Sequence, residues 1–236
     1  MYSKSVTKRI RLVEIDSTNT YAKSLRPNGE NVVVTAKRQT GGMGTKGRSF
    51  SSDEGGVYLT KLVFHKNMPT RYAFKIMASA AVAVCRTLEK YGLCPLIKWA
   101  NDVYVSDRKI CGILIENVFS GDKISSSLIG IGINVFNPLP QELDGIATSM
   151  ERETGKRFSV EEVTDTLIGE LEREMDISEY LGRIGYMGRK AKLLFADGEQ
   201  EGTLLSVDEQ GGLQVEIDGR IVTLTSAEVS LRLVKE

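Results

Sequence analysis

KWANDVYVSDRKICGILIE, running from Lys98 to Glu116, reads as a short approach strand followed by a hairpin. Apolar and β-branched residues flank a tight polar turn around Ser106 and Asp107, where turn-forming side chains meet. If the second strand is regular, Lys109, Cys111, Ile113 and Ile115 point one way. Gly112 then lies on the opposite face and leaves room there. The hairpin brings Lys98, Asp102 and Lys109 close together. A lysine and a carboxylate beside a vacant sheet face can hold a phosphate and its Mg²⁺. An ordinary polar hairpin with solvated charges fits the same residues and is commoner. Trp99 reads as buried packing, or as a brace for the turn.

Downstream, LIGIGINV alternates in the same sense. Ile129, Ile131, Ile133 and Val135 share one face, leaving Gly130, Gly132 and Asn134 on the other. Glycine inside a strand costs stability and marks close approach by a ligand or by another backbone. A helix crossing tightly over the sheet would account for it equally well. Upstream, RQTGGMGTKGRSFSSDEGG begins at Arg38 between the strands NVVVTAK and VYLTKLVF. Gly41, Gly42, Gly44 and Gly47 allow main-chain N–H groups to form an anion nest, with Lys46 and Arg48 adding charge. The pattern is neither GxxxxGK[ST] nor a GxGxxG opening a helix, which excludes a P-loop and a Rossmann fingerprint. Taken alone, it is a flexible loop.

The rest of the chain alternates strands and helices. RIRLVEI, Arg9 to Ile15, is a strand, followed by a short helix capped by Asp16 or Ser17. Arg71 to Gly92 is alanine-rich and stopped by glycine, the clearest helix in the sequence, with Met77 as core packing. SVEEVTDTLIGELEREM is an amphipathic helix opened by Ser159. Beyond about Gly188 the texture changes to short alternating strands punctuated by DG, EG, GG and DG. That spacing predicts a small SH3-like β-barrel, residues 187–236, behind a catalytic domain of residues 1–186.

The bulk properties exclude several classes. The chain has 236 residues and 41% hydrophobic content, enough for one large core and a small satellite. Lys+Arg and Asp+Glu are equal at 31 each, which argues against attachment to nucleic acid by bulk charge. There is no signal-peptide core and no run long enough to span a bilayer, so a cytoplasmic protein without membrane partners is expected. Cys85, Cys94 and Cys111 follow no CxxC spacing and, with His65 the lone histidine, make no zinc set. A Ser-His or Cys-His mechanism would have to run through His65.

Together, and in this order, these segments resemble the bacterial biotin–protein ligases. The family's STN motif matches Ser17, Thr18 and Asn19, and its glycine-arginine loop resembles Gln39 to Phe50. KWPND followed by RKxxGILxE matches Lys98 to Glu116, and GxGxN matches Gly130, Gly132 and Asn134. The resemblance implies an α+β fold: a mixed sheet with flanking helices, like class II aminoacyl-tRNA synthetases, plus the C-terminal barrel. It implies activation of biotin by ATP to biotinyl-5′-AMP, then transfer to a lysine of a biotin carboxyl carrier domain. It allows a homodimer. Only Met1 to Asp16 precede the STN motif, so a monofunctional enzyme without an N-terminal DNA-binding domain is expected.

Carried over by position, Lys109 would contact the biotin carboxylate and the phosphate, Arg48 would meet phosphates, and Asp102 would hold Mg²⁺. Ser17, Thr18, Asn19, Gln39, Gly42, Met43, Gly44, Thr45, Lys46, Phe50, Thr60 and Asn101 would line the biotin and adenylate pocket. Gly112, Gly130 and Gly132 would leave space for biotin, and Asn134 would face the ligand. The loop departs from the family. Met43 and Thr45 stand where arginines are usual, Lys46 replaces a third, and Phe50 replaces tryptophan. Two other functions compete: a lipoate–protein ligase, whose RRxSGGG signature RQTGGMG echoes faintly, and a biotin sensor without turnover.

Overall fold

The structure is a computed structural model that describes residues 8–226 and 228–233. Its larger part is a mixed seven-stranded sheet. The strands are β1 (Lys8–Ile15), β2 (Val32–Gln39), β3 (Gly56–Pro69), β4 (Leu96–Lys98), β5 (Asp102–Val105), β6 (Arg108–Ser120) and β7 (Lys123–Asn134). They lie in the order β1-β2-β3-β7-β6-β5-β4. β1 and β2 are parallel and every other neighbour is antiparallel.

Helices cover both faces. α1 (Thr18–Ser24) starts at Ser17, whose side chain accepts from Thr20 N, so Ser17 rather than Asp16 is the cap. Its Ala22 packs on Val32, Val34, Leu62 and Leu128 on one face of the sheet. α2 (Ala73–Glu89) packs on the other. Alanines let it approach Val57, Leu59, Ile113, Ile131 and Ile133 closely, forming the main core. α2 is shorter than the sequence predicts, because residues 70–72 form a 3-10 turn before it. α3 (Met150–Thr154) is not anticipated by the sequence reading, and α4 (Val160–Glu170) is capped by Ser159 as expected. α5 (Ile177–Arg183) is likewise a short helix that periodicity does not reveal. No helix among the described residues is long and apolar enough to cross a membrane.

The C-terminal strands β8 (Lys190–Leu194), β9 (Glu199–Val207), β10 (Leu213–Ile217), β11 (Arg220–Leu224) and β12 (Ser230–Leu233) form a second, antiparallel sheet. Its order is β11-β10-β9-β8-β12, and no pairing of β11 with β12 closes it among the described residues. The barrel expected from the sequence is therefore an open five-stranded sheet. Its apolar face (Leu193, Leu204, Leu213, Val215, Leu231) belongs to the same buried cluster as α2 and the large sheet.

Candidate active site

Strand register builds the floor of the site. A row of paired residues crosses the sheet: Ala36, Tyr58, Gly132, Gly112, Asp102 and Lys98. Directly paired residues point to the same side of a sheet, so all six face α1. A second row on that face runs Val34, Thr60, Gly130 and Leu114. The three glycines where β6 and β7 meet leave a trough between polar walls. The opposite parity of β7 puts Ile129, Ile131 and Ile133 in the core, as the alternation predicts.

Lys109 does not follow the simple alternation. Tyr104 pairs with Lys109 and Val103 with Cys111, so Ile110 is an extra residue on β6. This bulge shifts the parity by one. Ile110 and Cys111 are both fully buried, and Lys109 comes onto the same face as Gly112, correcting the expectation that they oppose each other. A Cβ placed on Gly112 would lie 3.3 Å from Lys109 Nζ, so the ammonium hangs over the trough. It pairs with Asp102 at 2.7 Å. The Ser106–Asp107 turn has both residues at positive φ, 48° and 60°, the type I′ geometry that suits a two-residue hairpin.

One wall is the start of α1. Thr18 N and Oγ1 donate to Gln39 Oε1 at 2.8 and 3.0 Å, and Gln39 Nε2 donates to Ser52 Oγ at 2.9 Å. Thr60, fully buried beneath them, donates to Asn19 Oδ1. Asn19 lies over Gly130, where a Cβ would come within 2.4 Å of its Oδ1. Its Nδ2 is buried without a partner, a donor whose desolvation is uncompensated by the protein. On the far side, Asn101 Nδ2 donates to Ile113 O at 2.6 Å and fixes the approach to Asp102.

The glycine-rich loop forms the roof. It is a small hairpin in which Met43 bridges Ser49, Gly44 N donates to Arg48 O, and Phe50 N donates to Gly42 O. The anion nest expected there is not formed by these groups, because the N–H groups of Gly41, Gly44, Arg48 and Phe50 are spent on main-chain carbonyls. Gly42 is needed for space: a Cβ there would meet Phe50 O and Ser52 Oγ at 2.4 Å. Phe50 lays its ring on the trough, 2.5 Å from a Cβ built on Gly132. Arg48 is tied to Thr45 through its carbonyl oxygen and hydroxyl, at 3.2 and 3.0 Å. Lys46 turns away from the cleft and donates to Ser230 Oγ on β12 at 3.1 Å.

The resulting cleft holds about 480 Å³ counting its mouth. Of the residues singled out in the sequence, Ser17, Thr18, Asn19, Gln39, Met43, Gly44, Thr45, Phe50, Asn101, Asp102, Lys109, Gly112, Gly130 and Gly132 line it. Gly42, Lys46, Arg48, Thr60 and Asn134 do not. Asn134 instead donates to Thr148 O at 3.0 Å and accepts from Asn137 at 3.2 Å. Sequence reading overlooked Leu59, Ile113, Leu114 and Ile131, which line the cleft, and Ser52, which holds Gln39. Leu59, Ile113 and Ile131 turn their side chains to the α2 core and border the cleft with main chain, so no motif marks them.

The electrostatics are lopsided. Burial pulls the Lys98 ammonium below the usual lysine range; Asp102 opposes this, while Lys109, Arg48 and Arg232 add to it. Burial pushes the Cys111 thiol well up and the Cys85 thiol to about 12, so neither is a nucleophile at neutral pH. His65 sits on the sheet's other face, 2.8 Å from Ser127 Oγ, and that serine is fully buried and donates to Asn117. Among the described residues no group of three or more His, Cys, Asp or Glu is placed to hold a metal.

Comparison with known proteins agrees with this geometry. Residues 12–134 match the model of the biotin/lipoate A/B protein ligase family. The bifunctional ligase/repressor BirA of Bacillus subtilis is 30% identical, over 92% of this chain and 72% of its own length. The biotin–[acetyl-CoA-carboxylase] ligase of Paracoccus denitrificans is 27% identical, over 86% and 91%. Among solved structures, the biotin protein ligase of Aquifex aeolicus in complex with biotin and ATP superposes with a TM-score of 0.78. It is 30% identical, over 96% of this chain and 99% of that one.

Proposed function

We propose, since the chain belongs to the biotin/lipoate A/B protein ligase family, that it is an ATP-dependent biotin–protein ligase. It activates biotin as biotinyl-5′-AMP and transfers the biotinyl group to a lysine of a carrier domain. The observation that carries the reading is the Lys109–Asp102 pair, set over a glycine trough walled by Ser17, Thr18, Asn19 and Gln39. Neither step needs a nucleophile from the enzyme, which suits a cleft lined by no cysteine or histidine.

The space above Gly132, Gly130 and Gly112 is taken by Phe50, Asn19 and Lys109, so the fused ring of biotin enters as Phe50 moves off Gly132, and the unpaired Asn19 Nδ2 offers a donor to its ureido oxygen. The biotin carboxylate then lies toward Lys109. In the first step a carboxylate oxygen bonds to the α-phosphorus and pyrophosphate departs. Lys109 faces both anions, lowering their mutual repulsion and stabilising the charge that builds on the α-phosphoryl oxygens. Arg48, tethered by Thr45, adds charge from the roof. In the second step the carrier amine attacks the acyl carbon and AMP leaves.

Mg²⁺ usually needs one or two carboxylates plus substrate phosphates. Asp102 supplies one at the phosphate end of the cleft, so the residues present fit the ion. When bound, Mg²⁺ would neutralise phosphate charge there. We further assign residues 1–186 to catalysis and residues 187–236 to a small SH3-like unit, and the cytoplasm as the working compartment. Lys46 on Ser230 supports a role for that unit in seating the loop. The test is biotin-dependent ATP–pyrophosphate exchange. Lys109→Ala is expected to lower it by about 10³-fold, the scale of losing a central charged contact. Exchange that survives would remove Lys109 from the mechanism, and exchange with lipoate instead of biotin would reassign the substrate.

A further inference from the structure

We propose that Lys98 binds the β- and γ-phosphates of the nucleotide and stabilises the pyrophosphate as it leaves, a role that rests on the adenylating reading above. Its place in the sheet comes first. Lys98 pairs with Asp102, Asp102 with Gly112, and Gly112 with Gly132, so all four share one face; the last three line the cleft, and Lys98 lies one strand further out. β4 is the outermost strand on that side. Along the row the glycine trough comes first, then the Asp102–Lys109 pair, then Lys98 at the rim. Gly112 and Lys98 are separated by two strand spacings, about 10 Å. A substrate lying along the row with its acid over the glycines and its α-phosphate at Lys109 extends its remaining phosphates toward β4.

The ammonium is held there. Lys98 Nζ donates to Tyr104 OH at 3.2 Å and lies 5.0 Å from the centre of that ring. Tyr104 is itself fixed edge-on against Tyr186, with ring centres 6.3 Å apart. Among the described residues Lys98 has no carboxylate within ion-pair distance, whereas Lys109 is paired with Asp102. The charges that act on Lys98 are those of Lys109, Arg48 and Arg232 against the single carboxylate of Asp102. Such a gathering of like charge in a half-buried place is relieved by a multivalent anion.

The chemistry divides the two lysines. As the carboxylate oxygen bonds to the α-phosphorus, the bond from that phosphorus to the α,β-bridging oxygen breaks. Its electron pair leaves on pyrophosphate, so negative charge grows on the β-phosphate. A cation at that point stabilises the transition state more than the bound substrate. Acyl transfer to the carrier involves no pyrophosphate, and Lys98 is idle there.

The experiment separates the two half-reactions of the full-length enzyme. Biotin-dependent ATP–pyrophosphate exchange reports the first, and transfer from chemically prepared biotinyl-5′-AMP to a carrier domain reports the second. In Lys98→Met, exchange is expected to fall about 100-fold with a raised KM for ATP. Transfer should stay within about twofold, and Lys98→Arg should recover part of the exchange, because the lost feature is the charge. Exchange and KM in Lys98→Met close to wild type would overturn the proposal. Equal losses in both half-reactions would also overturn it, showing a prop for Tyr104 rather than a phosphate contact. Wild-type enzyme that catalyses no exchange would overturn the ligase reading itself, and this role with it.

Discussion

The main chain of Lys109 donates to Ile146 O at 2.9 Å and accepts from Thr148 N at 2.8 Å. Thr148 O in turn accepts from the buried amide of Asn134. Asn134 thus braces the segment that clamps Lys109, although its motif suggests a ligand contact. Glu153 adds a second brace, holding Arg108 at 2.7 Å and Ser106 at 2.9 Å. Residue chemistry also makes the roof unusual. Thr45 holds Arg48 but brings no charge of its own. Thr45→Arg is expected to lengthen the half-life of enzyme-bound biotinyl-5′-AMP by about 10-fold, the scale of one added charge-assisted hydrogen bond to the phosphate. Gel filtration of the preloaded complex measures it. A half-life that does not lengthen would show that Thr45 does not limit retention.

The hairpin and the glycine strand show what sequence can and cannot tell. Alternation along LIGIGINV was legible, because a regular strand has a period of two and β7 is regular over that stretch. Alternation along RKICGILIE misled by one residue. Ile110 and Cys111 are both apolar, so nothing in the hydrophobic pattern reveals which residue the bulge omits from pairing. α3 and α5 were missed because five and seven residues are too few to display a helical period. Glycine content also does not show where the N–H groups go: Gly41 N donates to Asp16 O and Gly44 N to Arg48 O, which takes these two out of the nest. The trough itself can be tested through β7. In Gly132→Ala the new methyl would meet Phe50 at 2.5 Å, and overpacking of this kind costs about 1–3 kcal/mol. Urea denaturation should register that loss together with a raised KM for biotin. An unchanged KM would mean that the acid does not lie over Gly132.

At the scale of the molecule, the texture change near Gly188 marks a real change of sheet, but it conceals how firmly the two parts are joined. Trp99 Nε1 donates to Gly211 O at 3.0 Å. Gly211, at φ +89°, sits so close to Phe74 that a Cβ would come within 2.2 Å of the ring. Through Trp99 the C-terminal sheet touches the turn between Lys98 and Asp102. Long-range seating of this kind leaves no local signature. The fold also carries an acid-sensitive point in His65. Burial lowers its pKa from 6.5, so the unfolded chain takes up a proton more readily than the folded one. Its contribution to stability is complete above about pH 6.5 and is lost as pH falls below it. Melting temperature should therefore drop as pH falls below about 6.5, and His65→Gln should flatten that drop. An equally steep fall in the variant would place the sensitivity elsewhere.

The central claim is that the Lys109 cleft makes biotinyl-5′-AMP and passes the acyl group to a carrier lysine. Mass spectrometry of a biotin carboxyl carrier domain, after incubation with enzyme, biotin and MgATP, addresses it most directly. The account predicts one added biotinyl group on one lysine, dependent on ATP and absent with Lys109→Ala. A carrier that stays unmodified while the enzyme binds biotin tightly would contradict it.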